Sequence, residues 1–165
     1  DLGTGSGAIA LAIASERKNC QVIATDKSFA AIKIAKANAQ RLNISNCQFI
    51  NTYWLEALTN NTFQMIVSNP PYIKNDDPHL TQIELQHEPV SALSSANNGL
   101  YDIEQIIQNS IAKLTKPAYL LLEHGYDQGE QVKNLLRSYH YHVYSQVKDY
   151  NNITRVSIAL GSKIS

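Results

Sequence analysis

The chain has 165 residues, which is enough for one domain with a substantial hydrophobic core. Its 14 Lys and Arg residues balance its 14 Asp and Glu residues, and this zero net charge excludes a protein that binds nucleic acid mainly through a strong positive field. No apolar run approaches the roughly 20 residues of a membrane-spanning helix, and Cys20 and Cys47 form no CxxC pair. We therefore expect a globular domain in a reducing, cytoplasmic setting, and nothing in the sequence demands more than a monomer.

The chain begins at Asp1-Leu2-Gly3, without Met and already inside a glycine-rich segment. Because such segments normally follow a buried strand, we interpret the chain as a fragment cut just after its first strand. A sheet that lacks this central strand is expected to fold poorly in isolation and to fray at Asp1. A cooperative thermal transition of the isolated chain would contradict that expectation.

Apolar runs alternate with helical patterns along the chain, which is typical of a βαβ fold. In chain order, the first part predicts a helix over 8–15, a strand over 21–25, a helix from a Ser28 cap to residue 42, and strands over 47–50 and 63–68. The rest predicts a polar loop over 73–98, a helix over 101–114, a strand over 118–123, a helix over 128–138, and strands over 141–147 and 155–160. The last two strands alternate with a period of two, so we expect one α/β domain whose mostly parallel sheet ends in an antiparallel pair.

The segment Gly3-Thr4-Gly5-Ser6-Gly7 leads into the first helix, where glycine permits a close ligand and free N–H groups are available. Its GxGxG spacing differs from both the GxGxxG of a dinucleotide site and the Walker loop. Asp26 follows nineteen residues after Gly7 (26 minus 7) and ends a strand, where its carboxylate can accept both hydroxyls of a ribose. A ribose site without a pyrophosphate site indicates S-adenosylmethionine. The alternative is a tight structural turn with a surface Asp.

Trp54 comes shortly after the third predicted strand. If Asp26 holds a ribose, this position is where an adenine would lie, and a flat aromatic ring can stack on it. For the residue alone a core tryptophan is the favoured interpretation, and its location after the strand makes the two interpretations equally good.

Asn69-Pro70-Pro71-Tyr72 follows the fourth predicted strand. Two prolines cannot continue a strand, so they stiffen the turn and fix the direction of Asn69. The Asn69 side-chain carbonyl and the Pro70 backbone carbonyl can accept the two hydrogens of a planar NH2 group, while Tyr72 packs on its flat face. Taken alone, the tetrapeptide is more often only a rigid turn than a functional site. At the end of a strand beside a nucleotide site it favours methyl transfer to an amine by in-line displacement.

With these motifs the chain resembles the HemK/PrmC family, the peptide chain release factor glutamine methyltransferases. The similarity extends over essentially all 165 residues and includes further segments: Asp77-Pro78-His79-Leu80, Glu88-Pro89, Leu120-Leu121-Leu122-Glu123-His124-Gly125, Gln128-Gly129, Asp149-Tyr150 and Arg155-Val156. The resemblance implies a Rossmann-like class I S-adenosylmethionine-dependent fold and methylation of the glutamine in a release factor's Gly-Gly-Gln motif. It implies that Gly3 to Gly7, Asp26, Trp54 and Asn69 bind the cofactor, and that Asn69 to Tyr72 hold the glutamine amide.

The chain departs from the family pattern in two ways. The family commonly has an acidic residue before the tryptophan position, able to bind the adenine amine, and this chain has Tyr53. The family also has a helical N-terminal domain that helps to dock the release factor, and this sequence contains no such domain.

Two other functions compete with glutamine methylation. Asn-Pro-Pro-Tyr can hold any planar amine, so methylation of an adenine or cytosine amine in nucleic acid is the alternative activity. Zero net charge weighs against that activity, and no direct nucleic-acid binding is expected. A catalytically inactive binding module is the third possibility, and cofactor binding separates it from the other two.

The other polar residues that stand out in the sequence are expected to be structural. Glu123 ends an apolar strand and is interpreted as holding the Asn-Pro-Pro-Tyr loop, with a structural His124 beside it. His140 and His142 have no third ligand in the sequence, so no metal site is expected. Arg155 is expected to pair with Asp149 at the sheet edge.

Overall fold

The computed structural model describes residues 1–74, 94–95 and 99–161. The chain divides into two compact units, Asp1–Thr59 and Asn60–Ser165. Most of the predicted loop over 73–98, with its Asp77-Pro78-His79-Leu80 and Glu88-Pro89 segments, lies outside the described residues. Within the residues that are described, no helix is both long and apolar enough to cross a membrane.

The first unit contains two helices and two parallel strands. Its elements are α1 (Ala8–Glu16), β1 (Val22–Asp26), α2 (Phe29–Arg41) and β2 (Cys47–Asn51). Val22 lies beside Cys47 and Asp26 beside Asn51, while Leu2 forms a parallel bridge to Thr25.

Small side chains let α1 pack closely on the strands of the first unit. Ala10, Ala14, Val22 and Ala24 form one buried cluster. The predicted Ser28 cap is confirmed, since its hydroxyl oxygen accepts a hydrogen bond from the Ala31 N–H at 3.2 Å. The Asp1 end, where we expected fraying, accepts a hydrogen bond from the Thr25 N–H at 2.8 Å.

The second unit contains a four-stranded sheet. Its elements are β3 (Phe63–Ser68), β4 (Ile73–Lys74), β5 (Ser94–Ser95), α3 (Tyr101–Ser110), β6 (Leu114–Glu123), α4 (Gly129–Ser138), β7 (Tyr141–Lys148) and β8 (Thr154–Gly161). The strand order is β3-β6-β8-β7. β3 and β6 are parallel, and β8 is antiparallel to both of its neighbours, which confirms the predicted terminal antiparallel pair. β4 and β5 form a separate parallel pair inside the stretch predicted as loop.

Buried and exposed side chains alternate along β6, and the helices pack on the side of the sheet where the buried ones lie. Ala118, Leu120 and Leu122 are fully buried, and the residues between them are at least partly exposed. α3 packs against β6 and α4, and α4 packs against β7 and β8. The buried face of the strand and the apolar faces of the helices therefore pack together in one apolar layer.

The predicted helix over 101–114 is too long by four residues. It ends at Ser110, whose hydroxyl donates to the Ile107 carbonyl at 3.0 Å and pairs with the Tyr141 hydroxyl at 2.8 Å. Leu114 already belongs to β6, so that strand starts four residues before the predicted Ala118. Leu114 keeps helical spacing with the isoleucines of α3, and spacing alone cannot distinguish a buried helix position from a buried strand position.

Candidate functional site

The glycine segment of the first unit has a backbone that only glycine adopts readily. Gly3, Gly5 and Gly7 have φ angles of 69°, 56° and 89°. The Thr4 N–H donates to the Thr25 carbonyl at 2.9 Å, and the Gly7 N–H donates to the Thr4 carbonyl at 2.9 Å. The segment is therefore a turn fixed to the end of β1, directly before α1.

Asp26 connects the glycine segment to the start of α2. One carboxylate oxygen, Oδ2, accepts from the Gly5 N–H at 2.9 Å, and the other, Oδ1, accepts from the Ser28 N–H at 2.8 Å. An ionised carboxylate has about four lone-pair sites, so these two bonds leave acceptor capacity on each oxygen. The side chain is thereby oriented and can still accept from a pair of hydroxyl groups.

Trp54 packs against the same glycine segment. A Cβ atom at Gly3 would lie 2.9 Å from Cζ3 of the indole, so a side chain there would displace the ring. The Trp54 carbonyl accepts from the Thr25 hydroxyl at 3.0 Å, and the Tyr53 ring is tilted against the indole with a centroid distance of 5.6 Å. The structure thus brings Trp54, the glycine segment and Asp26 together within one unit.

Two features of this region fit a bound ligand. No atom lies within 4 Å of a Cβ placed on Gly5, so the middle of the segment faces open space. Asp1 was not predicted as a site residue, yet its Oδ2 accepts from the Thr4 hydroxyl and the Ala10 N–H, at 2.6 and 3.2 Å. Its Oδ1 is buried with no hydrogen-bond partner in the described part of the chain. A ligand with hydroxyl and amine donors matches these acceptors.

In the second unit, the Asn-Pro-Pro-Tyr segment directly follows β3. Asn69 is exposed, Pro70 is buried and Tyr72 is half-buried. The Tyr72 hydroxyl donates a long hydrogen bond of 3.4 Å to Oε1 of Glu123, at the end of β6. The Tyr72 carbonyl accepts from Nε2 of Gln128 at 3.0 Å. The bond between Glu123 and Tyr72 is the kind of contact by which Glu123 would hold the Asn-Pro-Pro-Tyr loop, as the sequence predicts.

His124, next to Glu123, is completely buried. Nδ1 lies 3.1 Å from the Gly125 carbonyl, which can only accept, so the proton is on Nδ1. Nε2 then accepts from the Ser157 hydroxyl at 3.0 Å, and Ser157 accepts in turn from the Gln146 amide at 3.0 Å. Burial lowers the pKa of His124 below its usual 6.5, so the ring is neutral at pH 7.

Asp149 and Arg155 form the predicted pair at the turn between β7 and β8. The Arg155 Nε donates to Asp149 Oδ2 at 3.0 Å, while Oδ1 accepts from the N–H groups of Asn151 and Ile153. These backbone bonds and the guanidinium lower the pKa of Asp149. His140 and His142 are exposed, and the described residues contain no group of three His, Cys, Asp or Glu that could hold a metal ion.

Several solved structures that share this fold are named methyltransferases. A methyltransferase from Pyrococcus furiosus superposes with a TM-score of 0.72 at 21% identity, over 98% of this chain and 74% of that one. An S-adenosylmethionine-dependent methyltransferase from Aquifex aeolicus gives a TM-score of 0.64 at 16% identity, over 98% and 80% of the two chains. The fold class is therefore that of the α/β methyltransferases, as predicted.

Residues 1–99 match the family model of the methyltransferase small domain, and the chain belongs to that family. It is 46% identical over 158 residues to the release factor glutamine methyltransferase of Escherichia coli, covering 96% of this chain and 57% of that protein. It is 45% identical over 159 residues to the protein of the same name from Coxiella burnetii, with coverages of 96% and 57%. These relatives confirm the resemblance to the HemK/PrmC family. The chain spans little more than half of their length.

Proposed function

We propose that this chain is the methyl-transferring part of a release factor glutamine methyltransferase. The acceptor is the side-chain amide nitrogen of the glutamine in a Gly-Gly-Gln motif. The observation that carries the proposal is the Asn69–Tyr72 segment after β3, whose tyrosine is held at its hydroxyl and at its carbonyl. Identity of 46% to a relative of that name supports the choice of a glutamine acceptor.

The first unit supplies the cofactor site in this proposal. When bound, S-adenosylmethionine provides a methyl group on a positively charged sulfur. Asp26 accepts the ribose hydroxyls with the lone pairs that Gly5 and Ser28 do not use. The segment from Gly3 to Gly7, including Thr4 and Ser6, gives the close backbone approach, and the Trp54 indole offers an adenine a flat surface.

The second unit supplies the acceptor site. The Asn69 side-chain carbonyl and the Pro70 carbonyl accept the two N–H groups of the glutamine amide, and the Tyr72 ring packs on its plane. Because both hydrogens would then be held, electron density on the nitrogen could turn toward an incoming methyl group. In the bound complex the cofactor would supply the methyl group and leave as S-adenosylhomocysteine, and one of the two amide protons held by the Asn69 and Pro70 carbonyls would pass to water. Positioning is the main catalytic contribution of these residues, since the prolines keep the turn rigid.

The cellular setting follows from this substrate. A release factor acts in translation, so we place the protein in the cytoplasm as a monomer that recognises a protein partner. Binding to nucleic acid or to a membrane has no part in the proposal.

The test uses a full-length protein that contains this chain, with labelled S-adenosylmethionine. Purified release factor and double-stranded DNA are offered side by side. We expect label on the release factor, lost when the Gln of its Gly-Gly-Gln motif is changed to Ala. Asn69→Ala should lower kcat roughly 100-fold or more, the effect of removing one positioned hydrogen-bonding group from an active site. Asn60→Ala, at an exposed position of the same unit, is the matched control and should keep full activity.

The other outcomes separate the competing functions. Label on DNA alone would show that the tetrapeptide holds an amine of a base, not of glutamine. Cofactor binding without transfer to either acceptor would favour an inactive binding module. Failure to bind the cofactor would direct attention to Tyr53, which replaces the acidic residue common in the family.

A further inference from the structure

Gln128 lies at the N-terminal boundary of α4. Both the oxygen and the nitrogen of its buried side-chain amide form hydrogen bonds. The residue is only 2% exposed. Its Oε1 accepts from the Gly125 N–H at 2.9 Å, and its Nε2 donates to the Tyr72 carbonyl at 3.0 Å. The Gln128 N–H also donates to the Gly125 carbonyl at 3.1 Å, so the turn before α4 is closed by two bonds to the same residue.

The Tyr72 carbonyl is closely packed against Gly99 and Gln128. Gly99 has a φ of 80°, and a Cβ there would lie 2.0 Å from the Tyr72 oxygen and 2.8 Å from Nε2 of Gln128. A side chain at position 99 would therefore collide with both partners of the hydrogen bond between Gln128 and Tyr72. With the hydroxyl of Tyr72 bonded to Glu123, the residue is held at two points separated by the length of its side chain.

We propose that Gln128 is a positioning residue for the acceptor site. It acts through Tyr72: by fixing the carbonyl of the last residue of Asn69-Pro70-Pro71-Tyr72, it fixes the orientation of the two carbonyl groups that hold the acceptor amine. This inference rests on the proposed function for the identity of the acceptor.

The chemistry of the site requires glutamine at this position. One end of the side chain must accept from Gly125 while the other donates to Tyr72, and a carboxylate has no donor for the second bond. A thioether has no N–H donor either, and its sulfur is only a weak acceptor. Losing the bond from Gly125 leaves a buried backbone N–H without this acceptor, and losing the bond to Tyr72 releases its carbonyl, so we expect the Tyr72 segment to move.

The test compares Gln128→Glu and Gln128→Met with Gln131→Glu, a change at an exposed position of the same helix. A full-length protein carrying 3-fluorotyrosine gives a fluorine resonance for Tyr72, assigned by its loss in Tyr72→Phe. We expect both Gln128 variants to shift or broaden this resonance. Their kcat should fall roughly 10- to 100-fold, because small misplacements of reacting groups have effects of that size. The Kd for S-adenosylmethionine should stay within about 2-fold, because all of its proposed ligands except Asn69 are in the first unit.

Each outcome decides the proposal. An unchanged Tyr72 resonance, or a kcat no lower than that of Gln131→Glu, would overturn it. Loss of cofactor binding together with activity in both Gln128 variants would also overturn it, since that result marks a general folding role. If the wild-type protein transfers no label to a Gly-Gly-Gln protein, the proposed function fails, and the fluorine resonance still decides whether Gln128 positions Tyr72.

Discussion

The glycine segment of the first unit and the Asn69–Tyr72 segment of the second are held in different ways. The glycine segment is fixed by its own positive φ angles and by bonds to the end of the neighbouring strand, such as that from Gly5 to Asp26. The Asn69–Tyr72 segment is stiffened locally by two prolines, but its last residue is held by Glu123 and Gln128, more than 50 residues away. The first geometry is therefore built mainly from backbone, and the second depends on distant side chains. Substitutions should affect the two regions differently.

The largest expected effect on stability comes from an alanine substitution at a glycine, and its size should differ between Gly99 in the second unit and Gly5 in the first. Gly99→Ala places a Cβ 2.0 Å from the Tyr72 oxygen at a positive φ, so we expect a loss of about 2–5 kcal/mol in the free energy of unfolding. Gly5→Ala has the backbone strain but open space around the new atom, so about 1–2 kcal/mol is expected. Urea unfolding of a full-length protein measures the free energy of unfolding for both variants. Equal losses would contradict the expectation that the segment near Gly99 tolerates a new side chain less well than the segment around Gly5.

Asp26→Asn tests whether the first region binds through this carboxylate. We expect the Kd for S-adenosylmethionine to rise roughly 10- to 100-fold, because hydrogen bonds to a charged group are worth about 1.5–3 kcal/mol. The kcat at saturating cofactor should change little, since Asp26 has no role at the acceptor. Isothermal titration calorimetry measures the Kd. Glu16→Gln, which changes an exposed acid in the same unit, is the control. A kcat that falls while Kd is unchanged would contradict the division of roles.

His124 predicts a pH dependence for the second unit. Its pKa is lowered in the folded state, so the unfolded state binds more protons below the usual pKa of 6.5. Stability should be fully present above pH 6.5 and should decrease below it, by at most about 1.4 kcal/mol per pH unit for one proton. Thermal melts between pH 7.5 and pH 5 on the wild type and His124→Gln measure this, and the stability difference between them should shrink as the pH falls. A constant difference would mean that His124 does not titrate there.

The smallest effect concerns a purely local contact of the first unit. Ser28→Ala removes the hydroxyl that accepts from Ala31, and we expect a loss of about 1 kcal/mol in the free energy of unfolding. The bond from the Ser28 N–H to Asp26 involves backbone and survives, so cofactor affinity should stay the same. Reduced affinity would show that the Asp26 carboxylate depends on the cap as well as on the backbone.

The sequence alone predicted most helices and strands because their periodicities are local. Ser28 marked the start of α2, and the alternation in β7 and β8 indicated an antiparallel pair. The end of α3 was missed, since Leu114 continues the helical spacing while its burial comes from a strand. At that boundary Ser110 pairs with Tyr141, a contact between residues 31 positions apart that no local pattern contains.

The site divides in the same way. Glycine spacing, the distance to Asp26 and the two prolines were visible because backbone chemistry limits which residues can occupy those positions. Gln128 stood out only as part of a family-like segment, and Asp1 was noted only as the start of the chain, with no role at the site. Their roles depend on which buried donors and acceptors the folded chain brings within about 3 Å, a distance at which hydrogen bonds form. The sequence determined the class of fold and the motifs of the site, while tertiary structure decided which distant side chains hold those motifs in place.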